Sequence, residues 1–187
     1  ALGWALGCYR FDRYRKDGSE TPKLISPATA TMDRVIAMAE AIHLGRDLIN
    51  TPAEDMGPAE LTGAVADLGD RFGADVRLLE GNELLEHNYP AIHAVGRASH
   101  REPRLADLVW GDPGAPKVTL VGKGVVFDSG GLDLKPAAGM KMMKKDMGGA
   151  ASAITLASMI MALNLPVRLR LLIPAVENSV AGNAHRP

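Results

Sequence analysis

Cysteine is almost missing from this sequence of 187 residues, which contains Cys8 alone. A single thiol forms no internal disulfide and excludes zinc sites built from several cysteines. No apolar run is long enough to span a membrane, because the longest, residues 150–163, is interrupted by Ser152, Thr155 and Ser158. The first residues also lack a basic segment followed by an apolar one, so we expect no secretion signal and a cytoplasmic location.

An excess of positive charge is missing as well. The 21 basic and 22 acidic residues give a net charge of −1, which argues against a generally basic, nucleic-acid-binding surface. Hydrophobic residues make up 47% of the chain and charged residues 23%, so it can bury a sizeable core. These values are typical of a globular domain.

Helical and strand-like patterns alternate along the chain, which predicts an α/β fold: a mixed sheet flanked by helices. Residues 17–30 are rich in turn-forming residues and are predicted to be a linker. Thr31 or Asp33 is expected to cap the amino-terminal end of a long helix that continues to about residue 49. The predicted helices are 1–16, 31–49, 58–73, 82–87 and 148–163, the predicted strands are 74–79, 118–121 and 167–176, and 91–95 and 105–110 are strands or mixed segments.

A glycine-rich stretch with several charges directly follows predicted strand 118–121. It is not a P-loop, because Lys117 stands where the first glycine belongs and Gly124 follows Lys123 in place of Ser or Thr. It is not a dinucleotide-binding fingerprint either, since Phe127 replaces the third glycine. A glycine-rich anion-binding module stays open as an alternative.

Two aspartates near this stretch are candidate metal ligands. Asp128 and Asp146 are expected on turns beside glycine-rich backbone, and hard divalent cations prefer carboxylate oxygens. Lys123 and Lys135 accompany them, although a lysine binds metal only after losing its proton, which a neighbouring dication favours. On pattern alone, solvated charges or structural ion pairs are the more common explanation of such residues.

Three motifs in this region resemble the catalytic segment of the leucyl aminopeptidases, the cytosol aminopeptidase family of metallopeptidases. Residues 122–131 read Gly-Lys-Gly-Val-Val-Phe-Asp-Ser-Gly-Gly, and residues 134–136 read Leu-Lys-Pro. Residues 143–151 read Met-Lys-Lys-Asp-Met-Gly-Gly-Ala-Ala, and the spacing between the three motifs also agrees. Further segments similar to family landmarks are 6–14, 46–52, 94–99, 103–105 and 174–178.

The resemblance implies a metal-dependent aminopeptidase that releases N-terminal amino acids, leucine among them, by two-metal hydrolysis. Lys123, Asp128 and Asp146 would be metal ligands, with Asp128 bridging two divalent ions, zinc or manganese or magnesium. Lys135 would be the catalytic lysine that stabilises the developing oxyanion, and Met143 would line the pocket for the N-terminal side chain. Peptides with a free N-terminus would be the substrates, and a homohexamer would be the assembly.

The sequence departs from the family in one respect. It lacks the Asn-Thr-Asp-Ala-Glu-Gly-Arg motif that supplies two more carboxylate ligands and an arginine that holds bicarbonate. We therefore expect an incomplete excerpt: residues 1–30 would end an N-terminal region, and 31–187 would form the first part of the catalytic domain. Such an excerpt would be inactive by itself. The alternative is a truncated or degenerate homologue that acts as a non-catalytic binding or assembly subunit.

Three other polar residues receive structural interpretations. Glu177 is expected to order a loop at a strand end instead of binding metal. Asp133 is expected to pair with Lys135, which lies two residues away. Ser129 has no neighbouring histidine and aspartate in the sequence, so a serine nucleophile is not indicated.

Overall fold

The computed structural model describes residues 1–16, 18, 20–25, 29–180 and 182–186. Helices and strands alternate through most of this part, in agreement with the predicted α/β fold. The strands are β1 (Asp75–Glu80), β2 (Arg104–Trp110), β3 (Lys117–Val121), β4 (Gly124–Asp128) and β5 (Arg168–Asn178). The helices are α1 (Leu2–Gly7), α2 (Thr29–Asn50), α3 (Pro58–Phe72), α4 (Glu83–Glu86), α5 (Pro90–Gly96), α6 (Ala137–Met140), the 3-10 helix Met143–Met147 and α7 (Gly148–Ala162).

The five strands form one mixed sheet in which β5 is central. Strand β2 lies between β1 and β5 and runs antiparallel to both. On its other side β5 pairs in parallel with β3 along its first half and with β4 along its second half. The carboxyl ends of β4 and β5 therefore meet at one edge of the sheet, where ligands of α/β proteins commonly bind.

Helices α3 and α7 cover one face of the sheet and form the main core with it. Alternate residues of β5, including Leu169, Leu171 and Ile173, are fully buried on this face, as the period of two in a strand requires. Helix α7 is apolar on most sides because α2 packs against its outer surface. A Cβ atom added at Gly45 of α2 would lie 2.1 Å from the Thr155 hydroxyl oxygen, so these two helices are closely packed.

The opposite face carries a smaller cluster under α4 and α5, in which Leu79, Leu84 and Leu105 are buried. The possible strand over residues 91–95 is wrong, because this segment is helix α5. Pro90 stands in its first turn, where the missing N–H costs nothing.

The bounds of α3 follow from local signals, and they agree with the predicted helix 58–73. Gly57 precedes the helix, Pro58 begins it, and the Glu60 side chain accepts a hydrogen bond from the Gly57 N–H at 2.9 Å. Gly73 ends the helix with a left-handed backbone, φ 65°.

The first predicted helix is too long, because α1 ends at Gly7. The chain then turns so that Tyr9 contacts α2, where its hydroxyl donates a hydrogen bond to Asp47 at 2.7 Å. Of the predicted linker 17–30, residues 17, 19 and 26–28 lie outside the described part, and α2 already begins at Thr29. Within the described residues, none of the helices is both long and apolar enough to cross a membrane.

Candidate active site

The candidate metal and catalytic residues gather at the edge where β4 and β5 end. Asp128 is the last residue of β4, and Asn178 is the last residue of β5. Lys123 lies in the short connection between β3 and β4. The expectation that Asp128 lies on a turn is wrong, because residues 124–128 form a strand, and the strand gives this carboxylate a fixed place in the sheet.

A short glycine-containing loop brings Lys135 back to Asp128. Gly130 has φ 94°, and a Cβ atom there would lie 2.2 Å from the Asp133 carbonyl oxygen, so the tight turn requires glycine. The Lys135 N–H donates to the Ser129 carbonyl oxygen at 3.0 Å and closes the loop. As a result, Lys135 Nζ lies 2.9 Å from Asp128 Oδ2.

This ion pair shifts the pKa of both partners in the direction that favours their charged forms. Burial raises the pKa of the Asp128 carboxyl, but hydrogen bonds from Lys135, Gly130 and Asn178 outweigh it and hold the pKa below its usual range. The hydrogen bond to Asp128 raises the pKa of the Lys135 ammonium, against a smaller opposing effect of desolvation. Lys135 therefore carries its positive charge at neutral pH.

A second lysine–aspartate pair lies beside the start of α7. Lys123 Nζ donates to Asp146 Oδ1 at 2.8 Å, and Asp146 belongs to the 3-10 helix that leads into α7. The Ala150 N–H donates to the Lys123 carbonyl oxygen at 2.9 Å, which attaches this connection to the first turn of α7. A Cβ atom at Gly149 would lie 3.1 Å from the Lys123 backbone nitrogen, so the small residues there permit the close approach.

Met143 begins the same 3-10 helix and is half-buried. It precedes Asp146 by three residues, and residues three apart are eclipsed in a 3-10 helix. Met143 is therefore on the same side of the helix as the Asp146 carboxylate, as a residue lining the site would have to be.

The donors present fit a hard divalent cation. Asp146 Oδ2 is buried and has no hydrogen-bond partner among the described residues, which leaves a strong acceptor unused. Asp128 adds a second carboxylate that is ionised at neutral pH. Among the described residues, however, no group of three or more His, Cys, Asp or Glu side chains is placed to share one ion. The described part of the site thus offers two carboxylates and the Lys123 amine, fewer ligands than two ions need.

The structure also shows the surroundings of the three residues that received structural interpretations. Lys135 pairs with Asp128, and Asp133 acts on it only through a weaker electrostatic effect, so the expected Asp133–Lys135 ion pair is wrong. Ser129 is buried, and its hydroxyl donates to the Asn178 carbonyl oxygen at 2.9 Å.

Glu177 is fully buried and holds loop residues, as expected. Its Oε1 accepts hydrogen bonds from Ser99 Oγ at 2.6 Å and from Arg186 Nη2 at 2.5 Å. Its Oε2 lies 3.7 Å from Arg101 Nη1.

Two groups that hold Asp128 were missed by the sequence analysis. The Asn178 side-chain amide donates to Asp128 Oδ1 at 2.8 Å, and the Gly130 N–H donates to the same oxygen at 3.0 Å. The β-branched residues Val125 and Val126 next to Phe127 were the available signal for β4. Recognising that strand would have placed Asp128 beside the end of β5.

Comparisons with known proteins match this chain to a family model and to curated relatives. The family model for the catalytic domain of the cytosol aminopeptidase family matches residues 43–187. A probable cytosol aminopeptidase of Rhodococcus erythropolis is 39% identical over 204 residues, which cover 100% of this chain and 40% of that protein. The chain thus spans about 40% of the length of the curated relatives it matches.

Solved structures give the same result. A cytosol aminopeptidase from Coxiella burnetii has 57% sequence identity and a TM-score of 0.92, over 100% of this chain and 40% of that one. The bottromycin maturation enzyme BotP, solved in complex with Mn, has 40% identity and a TM-score of 0.86, over 98% of this chain and 40% of that one. The match of the family model over residues 43–187, together with the agreement in sequence and fold, shows that the chain belongs to the cytosol aminopeptidase family.

Proposed function

We propose that the protein containing this chain is a metal-dependent aminopeptidase that removes N-terminal amino acids, leucine among them, from peptides. The observation that carries the proposal is the pairing of two lysines with two aspartates at the carboxyl edge of the sheet. Family membership supports it, because the relatives are named aminopeptidases. A cytoplasmic location and a homohexameric assembly belong to the same proposal.

In this proposal Lys123, Asp128 and Asp146 hold divalent metal ions, zinc or manganese or magnesium. Such ions acidify a bound water and polarise the scissile carbonyl. Lys123 Nζ donates a hydrogen bond to Asp146 Oδ1, so the lysine becomes a ligand only after its ammonium has lost a proton. The buried, unpaired Asp146 Oδ2 is the acceptor that supports this assignment.

Lys135 is proposed to stabilise negative charge on the substrate. Its ammonium is held in place by Asp128 at 2.9 Å and stays charged at neutral pH. A fixed positive charge beside a partly buried site stabilises a developing oxyanion far better than the same charge in water. Met143 is proposed to contact the N-terminal side chain of the substrate, from the same side of the 3-10 helix as Asp146.

The proposal assigns the remaining carboxylate ligands and the bicarbonate-binding arginine to sequence that this chain does not include. We therefore expect the 187 residues alone to show no hydrolysis of Leu-p-nitroanilide with Mn²⁺ or Zn²⁺. Robust turnover by the 187 residues would contradict the assignment of ligands outside them.

The test of the function uses the full protein in which this chain occurs. It should hydrolyse Leu-p-nitroanilide, lose activity in EDTA and recover it when Mn²⁺ is added. Asp128→Ala should abolish activity, and Lys135→Ala should lower kcat by about 100- to 1000-fold, the usual cost of losing one oxyanion-stabilising donor. Lys117→Ala is the matched control, because Lys117 is an exposed lysine at the opposite end of the parallel strands. A metal-loaded full protein without turnover would favour the non-catalytic alternative.

A further inference from the structure

We propose that Asn178 is a positioning residue that fixes the orientation of the Asp128 carboxylate and thereby sets the metal affinity of the site. The inference rests on the proposed function in one respect, that Asp128 is a metal ligand. In this proposal the Asn178 side chain contacts neither metal nor substrate and acts only through Asp128.

The two oxygens of Asp128 have different partners. Oδ1 accepts two hydrogen bonds from neutral donors, the Asn178 amide at 2.8 Å and the Gly130 N–H at 3.0 Å. Oδ2 faces Lys135 Nζ at 2.9 Å. Since the terminal torsion of an aspartate is broad and roughly two-fold, the backbone alone does not select this orientation. The two hydrogen-bond donors to Oδ1 select this orientation, and they leave Oδ2 directed toward the catalytic lysine.

An irregularity in the sheet brings Asn178 to this position. In the parallel pair of β4 and β5, Val125 is opposite Val176 but Phe127 is opposite Glu177, so β4 has one extra residue. Without this bulge Phe127 would be the partner of Asn178; with it, Asp128 is. Bulges commonly redirect a side chain beside a functional site, and here the redirected side chain is the proposed ligand.

Asn178 is itself held firmly, so it can orient a partner. Its carbonyl oxygen accepts a hydrogen bond from the Ser129 N–H at 3.0 Å, a backbone bond that does not depend on the Ser129 side chain. The preceding residue, Glu177, is fully buried in an ion pair with Arg186.

The loop also leaves space for the Asn178 amide. Gly131 has φ 71°, and a Cβ atom on it would lie 3.2 Å from Asn178 Oδ1. A side chain at residue 131 would therefore be strained in its backbone and would crowd the amide.

Hydrogen-bond partners of metal-binding carboxylates set both the orientation and the basicity of the ligand, and their loss typically lowers metal affinity or activity about 10- to 100-fold. We expect this effect at Asn178. Removal of the amide frees the Asp128 carboxylate to rotate, and each orientation that points Oδ2 away from the site opposes metal binding.

The experiment measures Mn²⁺ affinity of the full protein in which this chain occurs, from the electron paramagnetic resonance signal of free Mn²⁺. Asn178→Ala removes the amide, and Asn178→Leu removes the donor while keeping a branched side chain of similar size. Two variants are used so that a folding defect in one does not decide the result. Ser129→Ala is the matched control: it removes the hydroxyl bond to the Asn178 carbonyl at the same strand ends but keeps the amide–carboxylate bond.

We expect both Asn178 variants to bind Mn²⁺ about 10- to 100-fold more weakly, while Ser129→Ala stays within about threefold of the wild type. The KM for Leu-p-nitroanilide should be unchanged, and excess Mn²⁺ should restore part of the lost kcat. This pattern supports the inference even if the wild type cleaves no peptide, a result that would overturn the proposed function alone.

Three outcomes would overturn the inference. In the first, folded Asn178 variants bind Mn²⁺ as tightly as the wild type. In the second, Ser129→Ala loses as much affinity as they do, which would show that loosening the strand ends is the cause. In the third, the wild type binds no Mn²⁺, which would remove the metal site together with the inference.

Discussion

The buried ion pair between Glu177 and Arg186 should dominate the stability of the loop that packs against the end of β5. Glu177 is 0% exposed and the Arg186 side chain 4%. Glu177→Ala removes the hydrogen bonds that Oε1 accepts from Arg186 and Ser99. It also leaves the buried guanidinium without this carboxylate; its longer contacts include the Gly182 carbonyl at 3.2 Å and the Ser179 hydroxyl at 3.4 Å.

The expected cost follows from these contacts. Breaking a buried ion pair by removing one partner typically costs about 3–5 kcal/mol, because a charge is left without compensation. We expect the free energy of unfolding to fall by about 4 kcal/mol for Glu177→Ala. Glu177→Gln keeps the shape and one acceptor but loses the charge, and should cost about half as much, since a hydrogen bond to a charged group contributes about 1.5–3 kcal/mol.

Equilibrium urea unfolding, followed by circular dichroism, measures the effect. With an m value of about 2 kcal/mol/M, Glu177→Ala should lower the midpoint by about 2 M. The matched control is Glu40→Ala, which breaks the exposed ion pair to Arg71, whose two side chains are 56% and 51% exposed. Such a surface pair contributes about 0–1 kcal/mol, so its loss should shift the midpoint by less than about 0.5 M. Equal shifts for the two alanine variants would refute the argument from burial.

Two further predictions concern the packing and the charge of the site. Gly122→Ala should destabilise the protein by about 1–3 kcal/mol, because the new Cβ would lie 2.6 Å from the Ala150 Cα and 2.8 Å from the Gly149 carbonyl oxygen. In the same urea assay Gly63→Ala, in open space on α3, should stabilise the protein by about 0.5–1 kcal/mol. The opposite order of the two variants would contradict the packing argument. In metal-free protein the lowered pKa of Asp128 contributes stability that is complete above the unfolded-state pKa of about 4 and is lost as the pH falls through the folded-state value. Urea midpoints between pH 2 and 7 should therefore fall less steeply below pH 4 for Asp128→Asn than for the wild type, whereas parallel curves would count against the assigned shift.

Local signals in the sequence account for much of the fold. Pro58 and Gly73 bracket α3 because each has backbone properties that suit only one end of a helix. Where two local interpretations compete, the pattern fails. Residues 91–95 contain Ile and Val in a short apolar segment, which suits a strand as well as a helix, and Pro90 together with packing against the sheet decides for the helix.

The site could be predicted only in part, for reasons of distance along the chain. Lys135 reaches Asp128 because a tight turn at Gly130 closes the loop between them, and that turn type is not evident from glycine content alone. The bond from Asn178 to Asp128 spans 50 positions and depends on a one-residue bulge. Patterns of charge and glycine indicated where the charged residues lie, and family resemblance assigned them roles, but neither specifies a strand register.

The end of β5 links the stability of the fold to the geometry of the site through two adjacent residues. Successive side chains of a strand point to opposite sides, so Glu177 and Asn178 cannot serve the same cluster. Glu177 turns toward Arg186 and Ser99 and joins the loops at the strand end, whereas Asn178 turns toward Asp128. A shift of β5 by one residue would exchange these directions, which would place a third carboxylate beside Asp128 and leave Arg186 facing a neutral amide. The buried Glu177–Arg186 ion pair therefore opposes the same register error that would destroy the proposed metal site.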